Sequence, residues 1–249
     1  MVEDSLFIDI RTLKDESINK FLAVTKDNYT KKNPNWHCSG YILDCFDVNS
    51  DDRKDIITLL STAIAGSPRG IYVFDWSTGD IIWKFKMGAF PYLHIINDIN
   101  NDGKKEILLG TSGTGNNRQP INSTDDFHTY FIVLNNRGEL ILKHCFGDIG
   151  RGMLVFTISG NINQDTYKEI FVINNIEHSH LTKQKKTTFY LYDNEENKLD
   201  LKMSTEKSYI DFLLTDINQD EKDELFCVDR ENEITVYDYN IKSKTFHLL

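Results

Sequence analysis

Asp98, Asn100 and Asp102 set three side-chain oxygens two residues apart in the stretch DINNDGKKEILLG, and Glu106 adds a carboxylate just beyond them. These residue types at this spacing suit the capture of a hard cation. Calcium takes about six to eight oxygens at about 2.3–2.6 Å, from carboxylates, amides, carbonyls and water. With Asp98 as position 1, a tight loop aims the side chains of positions 1, 3 and 5 at one point. The backbone carbonyl of Lys104, at position 7, joins them, and Glu106, at position 9, closes the far side. Gly103, at position 6, permits positive φ at the bend. An EF-hand puts its closing Glu at position 12. Position 12 here is Leu109, inside an apolar run that reads as a strand, so the EF-hand plan is excluded.

The pattern recurs. DVNSDDRKDI starts at Asp47, NINQDTYKEI at Asn161 and DINQDEKDEL at Asp216, so successive copies lie 51, 63 and 55 residues apart. Asp and Asn favour turns because their side chains accept nearby backbone N–H groups, but a simple turn has no use for an acid held at position 9. The four loops together hold eleven ligand carboxylates. Like charges at such spacing repel unless a cation lies between them. The expected cofactor is therefore calcium.

The elements that position these loops are short strands. Each loop follows an apolar run (YILDCF, YLHII, MLVFTI, IDFLL) and precedes another (IITLL, ILLG, IFVI, LFCV). Two more such runs follow in each unit, for example GIYVFDW with IIWKFKM and YFIVL with LILKHCF. They are rich in β-branched and aromatic residues and are separated by STGD and NNRGE. Each unit reads as four short antiparallel strands, with the acidic loop joining the first two. One such sheet cannot cover both of its apolar faces, whereas stacked sheets cover each other. The expected fold is all-β: a single β-propeller domain over residues 1–249, with four clear blades over 41–249 and a degenerate blade or extension over 1–40. In that first segment LFIDI and KFLAVT are the strands, and Asp9 stands where the other loops begin. A count of about eighteen strands favours five blades with the first incomplete. The alternatives are a four-bladed ring with an extension and a fragment of a larger propeller.

A DxNxDGxxE loop between strands, repeated at about this spacing, resembles the FG-GAP repeats of integrin α-subunit propellers and the related VCBS-type repeats. The resemblance covers residues 41–249. It implies calcium in each blade, held by Asp47, Asn49, Asp51, Arg53 and Asp55 in the first loop. The second uses Asp98, Asn100, Asp102, Lys104 and Glu106, and the third uses Asn161, Asn163, Asp165, Tyr167 and Glu169. The fourth uses Asp216, Asn218, Asp220, Lys222 and Glu224. Arg53, Lys104, Tyr167 and Lys222 would act through their carbonyls. At position 6 the other loops carry Asp52, Thr166 and Glu221 in place of Gly103, and the Phe-Gly and Gly-Ala-Pro flanks of the family are poorly kept. The implied role is a protein- or glycan-binding or scaffolding module with structural calcium. The alternative is a carbohydrate-active enzyme, a polysaccharide lyase or hydrolase, which should carry a channel-mouth cluster of His, Arg, Lys or Tyr.

Composition narrows the partners. The net charge of −10 argues against a nucleic-acid partner, which needs clustered Lys and Arg. No stretch nears the roughly 18 apolar residues of a membrane span, and MVEDSLFIDI lacks the basic and apolar regions of a signal peptide. Calcium loops nonetheless favour an extracellular or cell-surface home, where weak sites fill. Cys38, Cys45, Cys145 and Cys227 show no metal spacing and read as buried free thiols. His178 with His180, and the run Lys183, Lys185 and Lys186, read as solvated positions. The long polar stretch from Thr111 to Phe127 is the candidate partner-binding loop. It contains the sequon at Asn122; a second lies at Asn28.

Overall fold

A computed structural model describes residues 5–11, 13–25, 38–62, 68–115, 120–147, 153–162, 168–176, 185–240 and 245–249. The protein is all-β, with no helix among these residues and eighteen strands. A hairpin comes first, β1 (Ser5–Arg11) with β2 (Ser17–Thr25). Four antiparallel meanders follow. The first is β3 (Cys38–Phe46), β4 (Asp55–Thr62), β5 (Gly70–Asp75) and β6 (Ile81–Lys86). The second is β7 (Phe90–Asn97), β8 (Glu106–Gly113), β9 (Tyr130–Leu134) and β10 (Leu140–Cys145). The third is β11 (Met153–Gly160), β12 (Glu169–Ile176), β13 (Lys186–Asp193) and β14 (Lys198–Thr205). The fourth is β15 (Tyr209–Thr215), β16 (Glu224–Asp229), β17 (Ile234–Asn240) and β18 (Thr245–Leu248). Two residue pairs, Met153 with Gly113 and Leu154 with Ser112, join the second and third meanders into one curled eight-stranded sheet.

The middle strands have near-continuous apolar sequences because both of their faces are covered. GIYVFD in β5 and YFIVL in β9 are buried almost throughout, whereas the last strands, such as β6, are half exposed. Layers stack in chain order. Leu6, Ile8 and Phe21 of the hairpin pack on Leu60, Tyr72 and Phe74 of the first meander. The opposite face of that meander, with Ile57, Ile71 and Val73, packs on Ile107, Leu109 and Ile132 of the second. Leu108, Phe131 and Val133 then meet Val155, Ile170 and Val172 of the third. Finally Phe171, Ile173 and Phe189 meet Phe212, Leu225 and Cys227 of the fourth. Each fully buried side chain of this size stabilises the fold by roughly 1.5–3 kcal/mol.

The stacking also fixes the loops. A bulge interrupts the pairing of the first two strands between Ile42 and Asp44, between Pro91 and Leu93, and between Tyr209 and Asp211. Just past the end of each first strand the chain enters an acidic loop. The hairpin keeps the strands but not the loop chemistry. Asp9 accepts Arg11 Nη2 at 2.8 Å and Ser17 Oγ at 2.7 Å, so Arg11 stands where a cation would lie.

The reading of the cysteines as buried needs correction. All four thiols are free, but Cys45 and Cys145 are exposed, and only Cys227 is buried.

Candidate metal loops

Three loops are described in full, and they share one conformation. In the second, Asp98 Oδ1 accepts Asp102 N–H at 3.2 Å and Oδ2 accepts Gly103 N–H at 2.8 Å. Asn100 Oδ1 accepts Asp102 N–H at 3.0 Å, and Asp102 Oδ1 accepts Lys104 N–H at 2.8 Å. The first loop repeats this with Asp47 on Asp51 (3.2 Å) and Asp52 (2.9 Å), Asn49 on Asp51 (3.1 Å) and Asp51 on Arg53 (2.9 Å). The fourth repeats it with Asp216 on Asp220 (3.2 Å) and Glu221 (2.9 Å), Asn218 on Asp220 (2.9 Å) and Asp220 on Lys222 (3.0 Å). Side chains 1, 3 and 5 therefore wrap inward on the backbone of their own loop.

The bend residue has positive φ in each case: Asp52 at 66°, Gly103 at 82° and Glu221 at 67°. Position 4 is also left-handed, at Ser50 (64°), Asn101 (58°) and Gln219 (64°), a requirement the sequence did not disclose. Asn and Asp tolerate this region better than most residues.

The closing acid takes the same place in all four loops. One carboxylate oxygen accepts the N–H of position 2: Asp55 from Val48 (2.9 Å), Glu106 from Ile99 (3.2 Å), Glu169 from Ile162 (3.1 Å) and Glu224 from Ile217 (3.1 Å). That bond leaves the second oxygen for the loop interior. Asp55 is 1% exposed, and its Oδ1 is buried without a hydrogen-bond partner. In the fourth loop Glu224 Oε1 accepts Asn218 Nδ2 at 2.8 Å, and the same amide lies 3.3 Å from Asp220 Oδ2. A neutral NH2 group there takes the place between carboxylates that a cation would take.

Electrostatics follow the same geometry. Burial raises the Asp55 carboxyl above its ordinary range, and the charges of Asp51, Asp47 and Asp75 raise it further. Burial does the same to Glu106, helped by Asp102 and Asp98. Asp47 moves the other way: desolvation, the largest single effect, raises it, but the N–H groups of Asp52, Asp51, Ser50 and Asn49 together outweigh it. The first and second loops thus each contain one closing acid that resists ionisation. A bound dication would reverse that resistance.

In the third loop Asn161 and Glu169 lie within the described residues, while Asn163, Asp165 and Tyr167 lie outside them. Asn161 is tied to the fourth meander: its N–H donates to Asp223 Oδ2 at 2.7 Å and its carbonyl accepts Asp223 N–H at 2.6 Å. Among the described residues no three carboxylate, imidazole or thiol groups converge closely enough to hold a metal as they stand. Loading would require the inward carboxylates to turn from backbone N–H groups toward an ion.

Anchors between layers hold the loops in position, and no local pattern announces them. Asn136, in the β9–β10 turn, donates to Val48 O at 3.3 Å, and Asn194, in the β13–β14 turn, donates to Ile99 O. Each ties position 2 of one loop to the next layer. Lys105 Nζ lies 2.6 Å from Asp44 Oδ2 and above the Phe46 ring, joining the second loop to the first meander.

The remaining candidates fall as follows. The segment 120–129 is fastened down. Thr124 Oγ1 accepts Gly88 N–H at 2.9 Å, Asn122 Nδ2 donates to Lys86 O at 2.7 Å, and Asp126 lies 3.9 Å from Arg69, both side chains fully buried. Asn122 and Ser123 remain exposed at the tip. His128 Nδ1 lies 2.9 Å from both oxygens of Asp125, which also accepts Tyr130 Oη at 3.1 Å. Asn28, His178, His180 and Lys183 lie outside the described residues. A cleft of about 450 Å³ between β3 and β7 is lined by Tyr41, Ile42, Tyr92 and His94, among others. Desolvation by its neighbours lowers the pKa of His94, although the residue itself is exposed.

No protein-family model matches the sequence. No curated protein matches it either. Among solved structures, the chain is similar in fold to the rhamnogalacturonan lyase YesW, with a TM-score of 0.52 and 14% identity. The match covers 93% of this chain and 45% of that one, so the chain spans less than half the length of this relative.

Proposed function

We propose that the chain is a propeller-type repeat module in which calcium pins the loop between the first two strands of each meander, leaving the exposed rim to a protein or glycan partner. The observation that carries this reading is Asp55: a buried carboxylate with one oxygen on Val48 N–H and the other without a partner, beside Asp47 and Asp51. A buried lone carboxylate oxygen is costly, and a cation at the loop centre removes the cost. The common conformation of the three fully described loops supports the same reading. In the first loop Asp47, Asn49, Asp51, Asp55 and the Arg53 carbonyl would hold the ion, and its role would be structural. Weak sites of this kind fill at extracellular calcium, which favours a location outside the cell.

The test is thermal. Calcium binding to the folded state alone adds about 2.7 kcal/mol at a hundredfold excess over Kd. Millimolar calcium should raise the Tm of chelator-treated protein, and magnesium, which gives up water reluctantly, should raise it much less. Identical melting curves in calcium and EDTA would refute the reading.

A second reading, a polysaccharide-cleaving enzyme, draws on the cleft between β3 and β7. Tyr41, Tyr92 and His94 are exposed there and open to a substrate. Assay of acidic polysaccharides for new unsaturated ends, with His94→Ala as control, separates the two readings.

A further inference from the structure

The first and second meanders pack on each other through their middle strands, where Ile57, Ile71 and Val73 meet Ile107, Leu109 and Ile132. Between their first strands the same two faces enclose the cleft of about 450 Å³. Register decides which side chains enter it. Tyr41 pairs with Leu59 and shares its face toward the second meander, and His94 pairs with Leu109 and faces back toward the first. Tyr92 is the extra residue of the bulge between Pro91 and Leu93, and a bulge re-aims a side chain. Its ring packs edge to face on Phe156 of the third meander, with 5.8 Å between centroids and 88° between planes. Tyr92 is thus held in place while 43% exposed, and Tyr41 is 58% exposed.

The cleft offers aromatic ring faces bordered by uncharged polar groups. Its lining includes Leu43, Leu59 and Phe90 with the two tyrosines and His94, and holds no Lys, Arg, Asp or Glu among the described residues. Neither tyrosine hydroxyl nor the His94 imidazole has a hydrogen-bond partner among those residues. The C–H face of a sugar ring, slightly positive, suits the negative face of an aromatic ring. The hydroxyls of the sugar suit free phenol and imidazole groups, which both donate and accept. A uronate would bring a carboxylate with no cation to meet it, and charge-assisted pairs are the strong ones in acidic-ligand sites. A wholly apolar ligand would desolvate the polar groups without pairing them. The volume falls within the range of about 300–1,000 Å³ usual for small-ligand sites.

We propose that this cleft binds an uncharged pyranose unit of a glycan, stacked on Tyr41 and Tyr92 and hydrogen-bonded by His94. The proposal rests on the glycan-binding form of the module described above and narrows the partner to neutral sugars. It sets the cleft apart from the acidic polysaccharides of the alternative enzyme. No residue assigned to a metal loop lines the cleft among the described residues, so sugar and calcium would occupy different places.

Calorimetric titration of the whole chain with cellohexaose, xylohexaose, mannohexaose and hexagalacturonate tests this. At least one neutral hexamer should bind, and hexagalacturonate should bind at least about tenfold more weakly than the best of them. Tyr41→Ala and Tyr92→Ala should each weaken that binding by at least about tenfold, a 1.4 kcal/mol change. Tyr92→Phe keeps the ring and should retain most of the affinity. Circular dichroism checks that the variants fold. If Tyr92→Ala does not, Tyr41→Ala, at the more exposed position, decides alone. Failure of every neutral hexamer to bind overturns the proposal and leaves the cleft to a protein partner. So does hexagalacturonate binding as tightly as the best neutral hexamer, or binding that survives the alanine substitutions, which would put the sugar elsewhere. The melting curves separate this result from the calcium reading. A calcium-dependent Tm with no sugar bound sinks the cleft proposal alone, and identical curves with sugar bound sink the calcium reading alone.

Discussion

Val48 donates its backbone N–H to Asp55 Oδ2 at 2.9 Å across the base of the first acidic loop, and this bond fixes where Asp55 Oδ1 must point. Seven residues separate the partners, the bond is buried, and the remaining oxygen has no hydrogen-bond partner. One hydrogen bond thus turns a strand-edge carboxylate into an inward-facing one.

The effect of Asp55→Asn should change sign with calcium. In chelator the amide keeps an acceptor for Val48 N–H and removes the repulsion with Asp47 and Asp51, so the variant should melt above the parent. In calcium it lacks a charged ligand and should melt below. The pH dependence has a definite sign. The folded pKa of Asp55 is raised above its ordinary 3.8, so without metal its contribution is fully present below that pH and is lost as pH rises through the folded value. Melting curves in EDTA between pH 4 and pH 7 should therefore show a larger gain for Asp55→Asn at the upper end. An equal gain across the range would count against the assignment.

The loops should differ in occupancy. The second loop combines three acids, an amide and Gly103 and should bind most tightly, followed by the first and then the fourth. In the fourth loop the Asn218 amide must leave Glu224 Oε1 before an ion can enter. The third has a neutral Asn161 at position 1 and should bind least. Calorimetric titration should show Asp98→Ala or Glu106→Ala removing most of the calcium-dependent stability, and Asn161→Ala removing little. A tight site lost in Asn161→Ala but kept in Asp98→Ala would reverse the ranking.

Backbone conformation makes its own prediction at the bend. Left-handed φ costs a residue other than glycine about 1–2 kcal/mol. Glu221, at φ 67°, is exposed and contributes its N–H to Asp216. Glu221→Gly keeps that bond and should raise the urea midpoint by the equivalent of up to about 1 kcal/mol. Gly103→Ala should lower it by a similar amount, although an added Cβ would meet nothing within 4 Å. If both variants are neutral, φ at this position carries no strain.

The buried pair Arg69–Asp126 should be sensitive to loss of either partner. Arg69 also donates to Gly88 O at 3.0 Å and lies 5.2 Å from the Phe90 ring centre. Arg69→Met should cost about 3–5 kcal/mol, because a buried carboxylate is left uncompensated. Adding Asp126→Leu should recover most of that loss. Urea denaturation of the single and double variants measures it, and a double variant as unstable as the single would show that the pair is not an energetic unit.

The repeat made the all-β class and the four-strand unit legible. The runs YFIVL and IFVI have the continuous apolar character that only strands covered on both faces need. The loop pattern also marked where the first strand of each unit ends, because Asx residues two apart bond to the backbone locally and do so without help from the rest of the chain. Even the degenerate hairpin could be read, since LFIDI and KFLAVT keep strand chemistry where RTLKDESIN has lost the loop.

Other features depended on tertiary structure. Positive φ at Ser50, Asn101 and Gln219 carries no compositional mark, because three different residue types accept it. The ties from Asn136 to Val48 and from Asn194 to Ile99 join residues 88 and 95 positions apart. No local pattern specifies a hydrogen bond between layers. The exposure of Cys45 and Cys145 was misjudged for the same reason: whether a strand face is buried depends on which layer covers it. Sequence alone determined the strand runs, the Asx-rich loops and the need for two-sided cover. Stacking decided which faces received that cover, because only packed neighbours bury a strand face.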